Sequence, residues 1–238
     1  MKRNVWHKVE AYPDILVGQY VVPNFVSNSV SIKLNENEFV IYSPGANLLE
    51  SWPEKDNPKL KLHIILPNAY HHLGIQAWIA HFQDVALYAS QKAKSQLIKK
   101  QAFSQVTDIN EISEYASKFE DSFKLSLPAG HRAGDIWISH QNTQSETLWI
   151  TCDSFLNYER LSNQTVARFM QKLLGAAPGL KISQVVKWFI LDDRKHFKQW
   201  ASKQVQKEQP VALIPSHGEI LVDDKLPDRL LDLLQTRL

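Results

Sequence analysis

The sequence has very little cysteine, because Cys152 is the one cysteine among 238 residues. A single cysteine excludes an internal disulfide and every zinc module that is built from several cysteines. Glycine is also scarce, with eight residues, and no repeat, low-complexity tract or linker rich in glycine, serine or proline interrupts the chain. We therefore expect one domain over residues 1–238, since domain boundaries usually fall in such linkers.

The sequence also lacks a long apolar run. No stretch approaches the roughly 18 apolar residues that a membrane-spanning helix needs. The first residues are basic, but no apolar run of signal-peptide length follows them. These features predict a soluble, cytoplasmic protein without a membrane partner.

Neither sign of charge dominates, because 27 Lys and Arg residues oppose 25 Asp and Glu residues, for a net charge of +2. A protein that binds nucleic acid through phosphate neutralisation usually carries a larger basic excess. We therefore expect a small-molecule substrate rather than nucleic acid. The sequence does not predict an oligomeric state.

Short runs of β-branched and aromatic residues predict strands in both halves of the chain. The predicted strands are residues 29–34, 38–43, 62–66, 85–90, 123–127, 135–139, 147–152 and 211–216. Apolar periodicity and turn residues predict helices over residues 73–82, 163–174, 192–208 and 227–234. Strands interspersed with helices in one domain predict an α/β or α+β sandwich.

Several potential metal ligands lie where predicted strands end. His71 and His72 follow one strand, His131 lies between two others, Asp153 ends another and His217 follows the last. Loops at strand ends are where functional residues concentrate, and imidazole and carboxylate are the usual ligands of zinc, iron and manganese. For any one of these histidines, the alternative is a polar residue beside solvent.

The order of these segments resembles the metallo-β-lactamase fold superfamily. The chain presents PNAYHHLG, AGHRAGDIW, LWITCDS and IPSHGEI. In that superfamily, a first histidine motif is followed by a loop with Gly-His, a strand that ends in aspartate and a late strand that ends in His-Gly. The resemblance spans about residues 29–218 and implies a four-layer αββα sandwich. Ser43-Pro44, followed by the PN..HH pattern, also resembles an uncharacterised branch of the superfamily.

The first histidine motif departs from the superfamily pattern H-x-H-x-D-H. On that pattern, Pro67 and Ala69 occupy the positions of the first two histidines, His71 occupies that of the aspartate, and only His72 matches. The same motif is eroded in the uncharacterised branch. We therefore do not expect a binuclear metal centre.

The resemblance implies roles for the residues that remain. His72, His131, Asp153 and His217 would be metal ligands, and His71 would be a further ligand or a catalytic proton shuttle. We expect one divalent metal, with zinc preferred over iron or manganese, or none if the site is inactive.

Two functions follow from the resemblance. The first is a metal-dependent hydrolase, in which a metal-activated water attacks an ester, lactone, thioester or phosphoester. The second is a non-catalytic protein of the same fold that binds a small molecule or a protein partner.

Three further residues are interpreted as structural. Cys152 precedes Asp153 on a predicted strand, so strand alternation would point its thiol away from the carboxylate. His63 lies inside a predicted strand, and His81 lies near the end of a predicted helix.

Overall fold

The computed structural model describes residues 2–22, 25–57, 59–99, 108–163 and 165–238. The chain divides into two compact units, an N-terminal unit, Met1–Ser122, and a C-terminal unit, Phe123–Leu238. The expectation of a single domain stays a prediction. Among the described residues, no helix is both long enough and apolar enough to cross a membrane.

The described part of the N-terminal unit contains one seven-stranded sheet with the strands in chain order. The strands are β1 (Trp6–Val9), β2 (Tyr12–Val22), β3 (Phe25–Asn35), β4 (Glu38–Tyr42), β5 (Lys61–Ile65), β6 (Asp84–Ala89) and β7 (Ile109–Glu111). β1 to β4 pair in antiparallel fashion, and β4 to β7 pair in parallel. The carboxyl ends of the parallel strands therefore meet at one edge of the sheet.

Helices and an aromatic cluster cover this sheet. The helices are α1 (Ile75–His81), α2 (Gln91–Lys99) and the 3-10 helices Ala46–Ser51 and Ile112–Phe119. The ring of Trp52 lies 5.3 Å from that of Trp78 and 5.4 Å from that of Phe39. The Trp78 indole N–H donates to the Gly45 carbonyl, 3.1 Å away. The buried tryptophans thus pack with their one polar group satisfied.

The C-terminal unit contains two sheets in its described residues. The strands are β8 (Lys124–Ser126), β9 (Trp137–Gln141), β10 (Thr147–Ile150), β11 (Leu156–Tyr158), β12 (Gly179–Lys181), β13 (Ala212–Ile214), β14 (His217–Gly218) and β15 (Leu221–Val222). One sheet has the order β15-β13-β10-β9-β8, and the other has the order β12-β11-β14. β9 and β10 form the antiparallel hairpin that the sequence predicts.

Three α-helices and one π-helix complete this unit. They are α3 (Thr165–Leu173), the π-helix Val186–Ile190, α4 (Arg194–Glu208) and α5 (Leu226–Arg237). The core centres on Trp137, whose ring lies 5.2 Å from that of Trp149 and 5.1 Å from that of Trp200. The mixed α/β class with several sheets is therefore confirmed. Each predicted strand and helix overlaps an observed element of the same type.

Candidate metal centre

The segment that carries His71 and His72 is a turn held by an asparagine side chain. Asn68 Oδ1 accepts hydrogen bonds from the backbone N–H of Tyr70 (2.8 Å) and of His71 (3.2 Å). This arrangement is an Asx turn, which lets the chain reverse directly after β5. α1 begins only at Ile75, so both histidines lie in the turn that precedes the helix.

The turn orients the His71 ring towards the edge of the sheet within the N-terminal unit. His71 is buried, and its Nδ1 lies 2.9 Å from the hydroxyl oxygen of Ser43, which directly follows β4. That hydroxyl also lies 3.3 Å from the Tyr20 hydroxyl. Because β4 and β5 are parallel, their ends bring the serine and the histidine together.

In the C-terminal unit, the backbone requires a glycine directly before one candidate ligand, His131, and directly after another, His217. Gly130, directly before His131, has φ +67°, and a Cβ there would meet the Asp193 carbonyl oxygen at 2.1 Å. Gly218, directly after His217, has φ +102°, and a Cβ there would meet the Asn157 carbonyl oxygen at 2.0 Å. The Gly-His and His-Gly pairs of the two motifs therefore have a backbone cause.

His131 lies in a buried hydrogen-bonded cluster. Its Nδ1 accepts from the Asp135 backbone N–H at 3.4 Å, which leaves the proton of the neutral ring on Nε2. Nε2 lies 3.1 Å from Asp135 Oδ2 and 3.3 Å from the Ser154 hydroxyl. Ser154 donates to the same carboxylate oxygen at 2.9 Å and accepts from the Trp137 indole at 3.2 Å. The cluster thus links the loop before β9 to the turn after β10.

Asp153 and His217 form an equally close but more accessible pair. Asp153 Oδ1 lies 3.1 Å from His217 Nε2, and the two side chains are 13% and 15% exposed. Asp153 lies in the turn after β10, and His217 begins β14, which pairs in parallel with β11 opposite Leu156. The C-terminal unit therefore brings together two of the predicted metal ligands.

Two further potential ligands lie beside this pair. One ligand atom each of Asp135, Cys152 and Asp153 lie within 4.8 Å of one another. The sequence argument that Cys152 points away from Asp153 is therefore wrong. Because β10 ends at Ile150, strand alternation no longer determines the direction of the Cys152 side chain.

Burial determines the protonation of the groups around Asp153. It raises the pKa of the Cys152 thiol well above its usual range, and the Asp153 and Asp135 carboxylates raise it further. Burial also raises the pKa of Tyr158, with a smaller contribution from Asp153. Both groups are therefore neutral around neutral pH, and the buried, free thiol agrees with a structural interpretation of Cys152.

Sequence reasoning missed Asp135 and Ser154. The strand pattern of residues 135–139 placed Asp135 inside β9, whereas β9 begins at Trp137. The available signal was the spacing His131-x-x-x-Asp135, because a carboxylate four residues after a histidine in a loop can form a hydrogen bond with the histidine ring.

The structure is similar to several solved structures, although no protein-family model and no curated protein matches the sequence. The DIM-1 metallo-β-lactamase exposed to ceftazidime matches with a TM-score of 0.59 and 12% identity, and 100% of each chain is covered. The metal-soaked Flv1 flavodiiron core from Synechocystis sp. PCC6803 matches with a TM-score of 0.59 and 14% identity, over 97% of this chain and 59% of that one. A double mutant of the sec-alkyl sulfatase PisA1 matches with a TM-score of 0.57 and 10% identity, over 97% of this chain and 41% of that one.

Identities of this size establish likeness of fold and do not transfer an activity. The full coverage of both chains in the lactamase comparison means that the likeness extends from one end of the chain to the other. The chain therefore has the metallo-β-lactamase fold.

Proposed function

We propose that this protein is a metal-dependent hydrolase that holds one divalent metal at Asp153 and His217. The observation that carries the proposal is the 3.1 Å approach of Asp153 Oδ1 to His217 Nε2 in a partly exposed position. A carboxylate and an imidazole so close together, and still open to solvent, offer two ligand atoms that a substrate can reach.

The chemistry of the ligands fits a divalent transition metal. Carboxylate oxygen and imidazole nitrogen suit zinc, iron and manganese, and we propose zinc first. Cys152 would favour zinc further, but only as a thiolate, and burial opposes its ionisation. Cys152 is therefore not assigned as a ligand.

Two ligands are fewer than the three that catalytic zinc sites usually have. By resemblance, His72 and His131 would complete the set. His131 Nε2 lies 3.1 Å from the Asp135 carboxylate. To act as a ligand, this nitrogen would have to give up that interaction and bind the metal instead. The roles of His72 as a ligand and of His71 as a ligand or proton shuttle are proposed from the sequence resemblance.

A bound metal would lower the pKa of a bound water to about 7 and would polarise a carbonyl or phosphoryl oxygen. The chain itself contributes the carboxylate and the imidazole that hold the metal. It also contributes the neutral Tyr158 hydroxyl, which can donate a hydrogen bond near Asp153. The proposed substrate is a small ester, lactone, thioester or phosphoester.

The test is the metal content of the protein purified without chelator or metal-affinity tag. We expect zinc, iron or manganese at close to one atom per chain, with a large loss in His217→Ala and in Asp153→Asn. His196→Ala is the matched control, because His196 is an exposed histidine in the first turn of α4, and it should retain the metal. His72→Ala tests the ligand that rests on resemblance.

The outcome that contradicts the proposal is equally specific. If the protein binds no metal even after reconstitution with each of the three ions, the hydrolase proposal fails. The non-catalytic binding protein is then favoured, and the hydrogen-bonded cluster of His131, Asp135 and Ser154 would be purely structural.

A further inference from the structure

The C-terminal unit carries a concentration of exposed apolar side chains that the candidate metal centre does not use. Fourteen large apolar residues are exposed in the described parts of the chain, and seven of them lie between residues 166 and 189. They are Val166 (76% exposed), Phe169 (64%), Met170 (42%), Leu173 (62%), Val185 (37%), Trp188 (60%) and Phe189 (64%). We refer to these seven residues as the apolar face.

The first four residues lie on one side of α3. Their spacing, i, i+3, i+4 and i+7, is the pattern of a helix face that is normally buried against a core. Here the face is exposed to solvent. Monomeric soluble proteins rarely expose a contiguous apolar patch of this kind unless it binds something.

A backbone hydrogen bond connects the residue after α3 to a residue just before the π-helix, so the two segments that carry the apolar face lie close together. The Gln184 backbone N–H donates to the Leu174 carbonyl at 2.8 Å, directly after α3. The Gln184 side-chain oxygen accepts from the Trp188 indole N–H at 3.1 Å. Gln184 therefore joins the end of the helix to the tryptophan of the apolar face.

The border of the apolar face is basic. Residues 165–195 contain six Lys or Arg residues and two Asp residues, which gives this segment +4 in a chain whose net charge is +2. The six are Arg168, Lys172, Lys181, Lys187, Arg194 and Lys195, and the two acidic residues are Asp192 and Asp193, at the start of α4. α3 and the π-helix themselves contain no acidic residue.

The cations beside Trp188 are also close to one another. The Arg194 guanidinium lies 4.3 Å from the centre of the Trp188 ring, and its Nε donates to the Lys187 carbonyl at 2.9 Å. Desolvation lowers the pKa of Lys187, and the charges of Arg237 and Arg194 lower it further. An anionic partner would relieve this repulsion, whereas a second copy of the same basic face would increase it.

We propose that the apolar face docks on an anionic lipid surface, with α3 lying in the plane of the interface. Phenylalanine, tryptophan and leucine on one side of a short helix, with Lys and Arg at its border, is the composition of interfacial membrane helices. This proposal departs from the sequence-based expectation of no membrane partner. That expectation rested on the absence of a membrane-spanning run, which concerns helices that cross a bilayer and does not bear on a helix that lies on one.

The test is co-sedimentation of the protein with phosphatidylcholine vesicles that do or do not contain phosphatidylglycerol. We expect binding to the anionic vesicles and little binding to phosphatidylcholine alone, because the basic border contributes only when the surface is negative. The double variant Phe169→Ser and Leu173→Ser should lose about tenfold or more in binding, since both apolar side chains leave the interface.

Matched controls lie elsewhere in the same unit. Val222→Ser removes an apolar residue that is 68% exposed on β15, and it should leave binding unchanged. Lys172→Glu on α3 should weaken binding to anionic vesicles, whereas Lys203→Glu on α4 should weaken it much less. Circular dichroism and metal content should be unchanged in all four variants, which separates this inference from the proposed function.

Three results would overturn the proposal. The first is an absence of binding to anionic vesicles, and the second is equal binding to vesicles of both compositions. The third is self-association that depends on protein concentration and that the Phe169→Ser and Leu173→Ser variant abolishes, without any vesicle binding. That result would assign the apolar face to a second copy of the chain.

Discussion

His63 is a histidine that its surroundings keep neutral. It is fully buried on β5, where Nε2 lies 2.7 Å from Glu38 Oε1 and Nδ1 lies 3.0 Å from the Tyr88 hydroxyl. Burial lowers the pKa of His63 despite the opposing effect of Glu38, and the hydrogen bond from His63 lowers the pKa of Glu38. Burial raises the pKa of Tyr88 to about 12. The neutral ring therefore donates to the carboxylate and accepts from the phenol.

This arrangement predicts a loss of stability in mild acid. Since the folded-state pKa of His63 is below its unfolded value, the unfolded chain binds the proton more readily. The contribution is fully present above about pH 6.5, the unfolded value, and is lost as the pH falls towards the folded value. Thermal unfolding over this range should show the loss in the native protein and a smaller one in His63→Gln. An equal pH dependence in both proteins would exclude His63 as its source.

Gly218 predicts a second effect at the scale of the residue. Ala at Gly218 would combine a positive φ with a Cβ only 2.0 Å from the Asn157 carbonyl oxygen. Gly179 is the matched control, because its φ is +80° and a Cβ there would meet nothing within 4 Å. Gly179→Ala should cost about 1 kcal/mol of unfolding free energy from backbone strain alone, and Gly218→Ala clearly more. Urea titration measures the unfolding free energy of both variants. Equal losses would contradict the prediction, because they would show that the backbone around Gly218 can shift to accommodate the added Cβ.

At the scale of elements, the Glu208 side chain links the C-terminal end of α4 to the five-stranded sheet. It accepts from the Trp149 indole on β10 at 2.8 Å and pairs with Lys124 on β8. Burial would raise the pKa of Glu208, but hydrogen bonds from Lys124, Ser139 and Trp149 lower it overall. The carboxylate is therefore the form that holds the helix in place.

Removing this carboxylate should destabilise the C-terminal unit. Glu208→Ala leaves the Trp149 indole N–H without its acceptor, so we expect a loss of about 2 kcal/mol in unfolding free energy. Glu208→Gln keeps an acceptor and loses only the charge, so its cost should be smaller. Chemical unfolding of both variants separates the contribution of the Trp149 hydrogen bond from that of the Lys124 ion pair. If they lose the same amount, the ion pair with Lys124 stabilises the helix more than the hydrogen bond from Trp149 does.

Most of the longer elements could be predicted from the sequence, but several others, including the 11-residue β2, could not. β2 escaped prediction because Pro13, Asp14 and Gly18 interrupt its β-branched pattern. β14 and β15 have two residues each, which is too short for alternation to be visible. The periodicity of α3 identified its apolar side but could not show that this side is exposed, because a repeat does not specify what covers it.

The candidate site divides in the same way. The order of the motifs anticipated that Asp153 and His217 belong to one site, and the structure of the C-terminal unit places them 3.1 Å apart. Strand alternation could not identify the partners of His131, since Asp135 and Ser154 lie in loops, and only the four-residue spacing from His131 to Asp135 pointed to one of them. The metal-ligand roles of all the predicted residues stay predictions.

For the molecule as a whole, we predict at most one tightly bound divalent metal per chain. Pro67 and Ala69 stand where the superfamily pattern has two histidines, and neither side chain offers a lone pair to a metal. Occupancy should fall between about pH 8 and about pH 5, because imidazole binds a metal only in its neutral form. Elemental analysis of protein equilibrated across this range measures both quantities. Two metals per chain would contradict the single-metal proposal.

The brevity of β14 has a consequence for local opening. Only Leu156↔His217 and Asn157↔Gly218 pair β14 with β11, and two further hydrogen bonds join Asn157 to Glu219. β14 is thus paired on one side, whereas β13 is paired on both sides, so fewer hydrogen bonds must break to expose β14 to solvent. Amide hydrogens around Gly218 should therefore exchange with deuterium sooner than those of β13, in the five-stranded sheet. A metal held by His217 would bind the closed form, so slower exchange in this segment would report occupancy without any knowledge of the substrate.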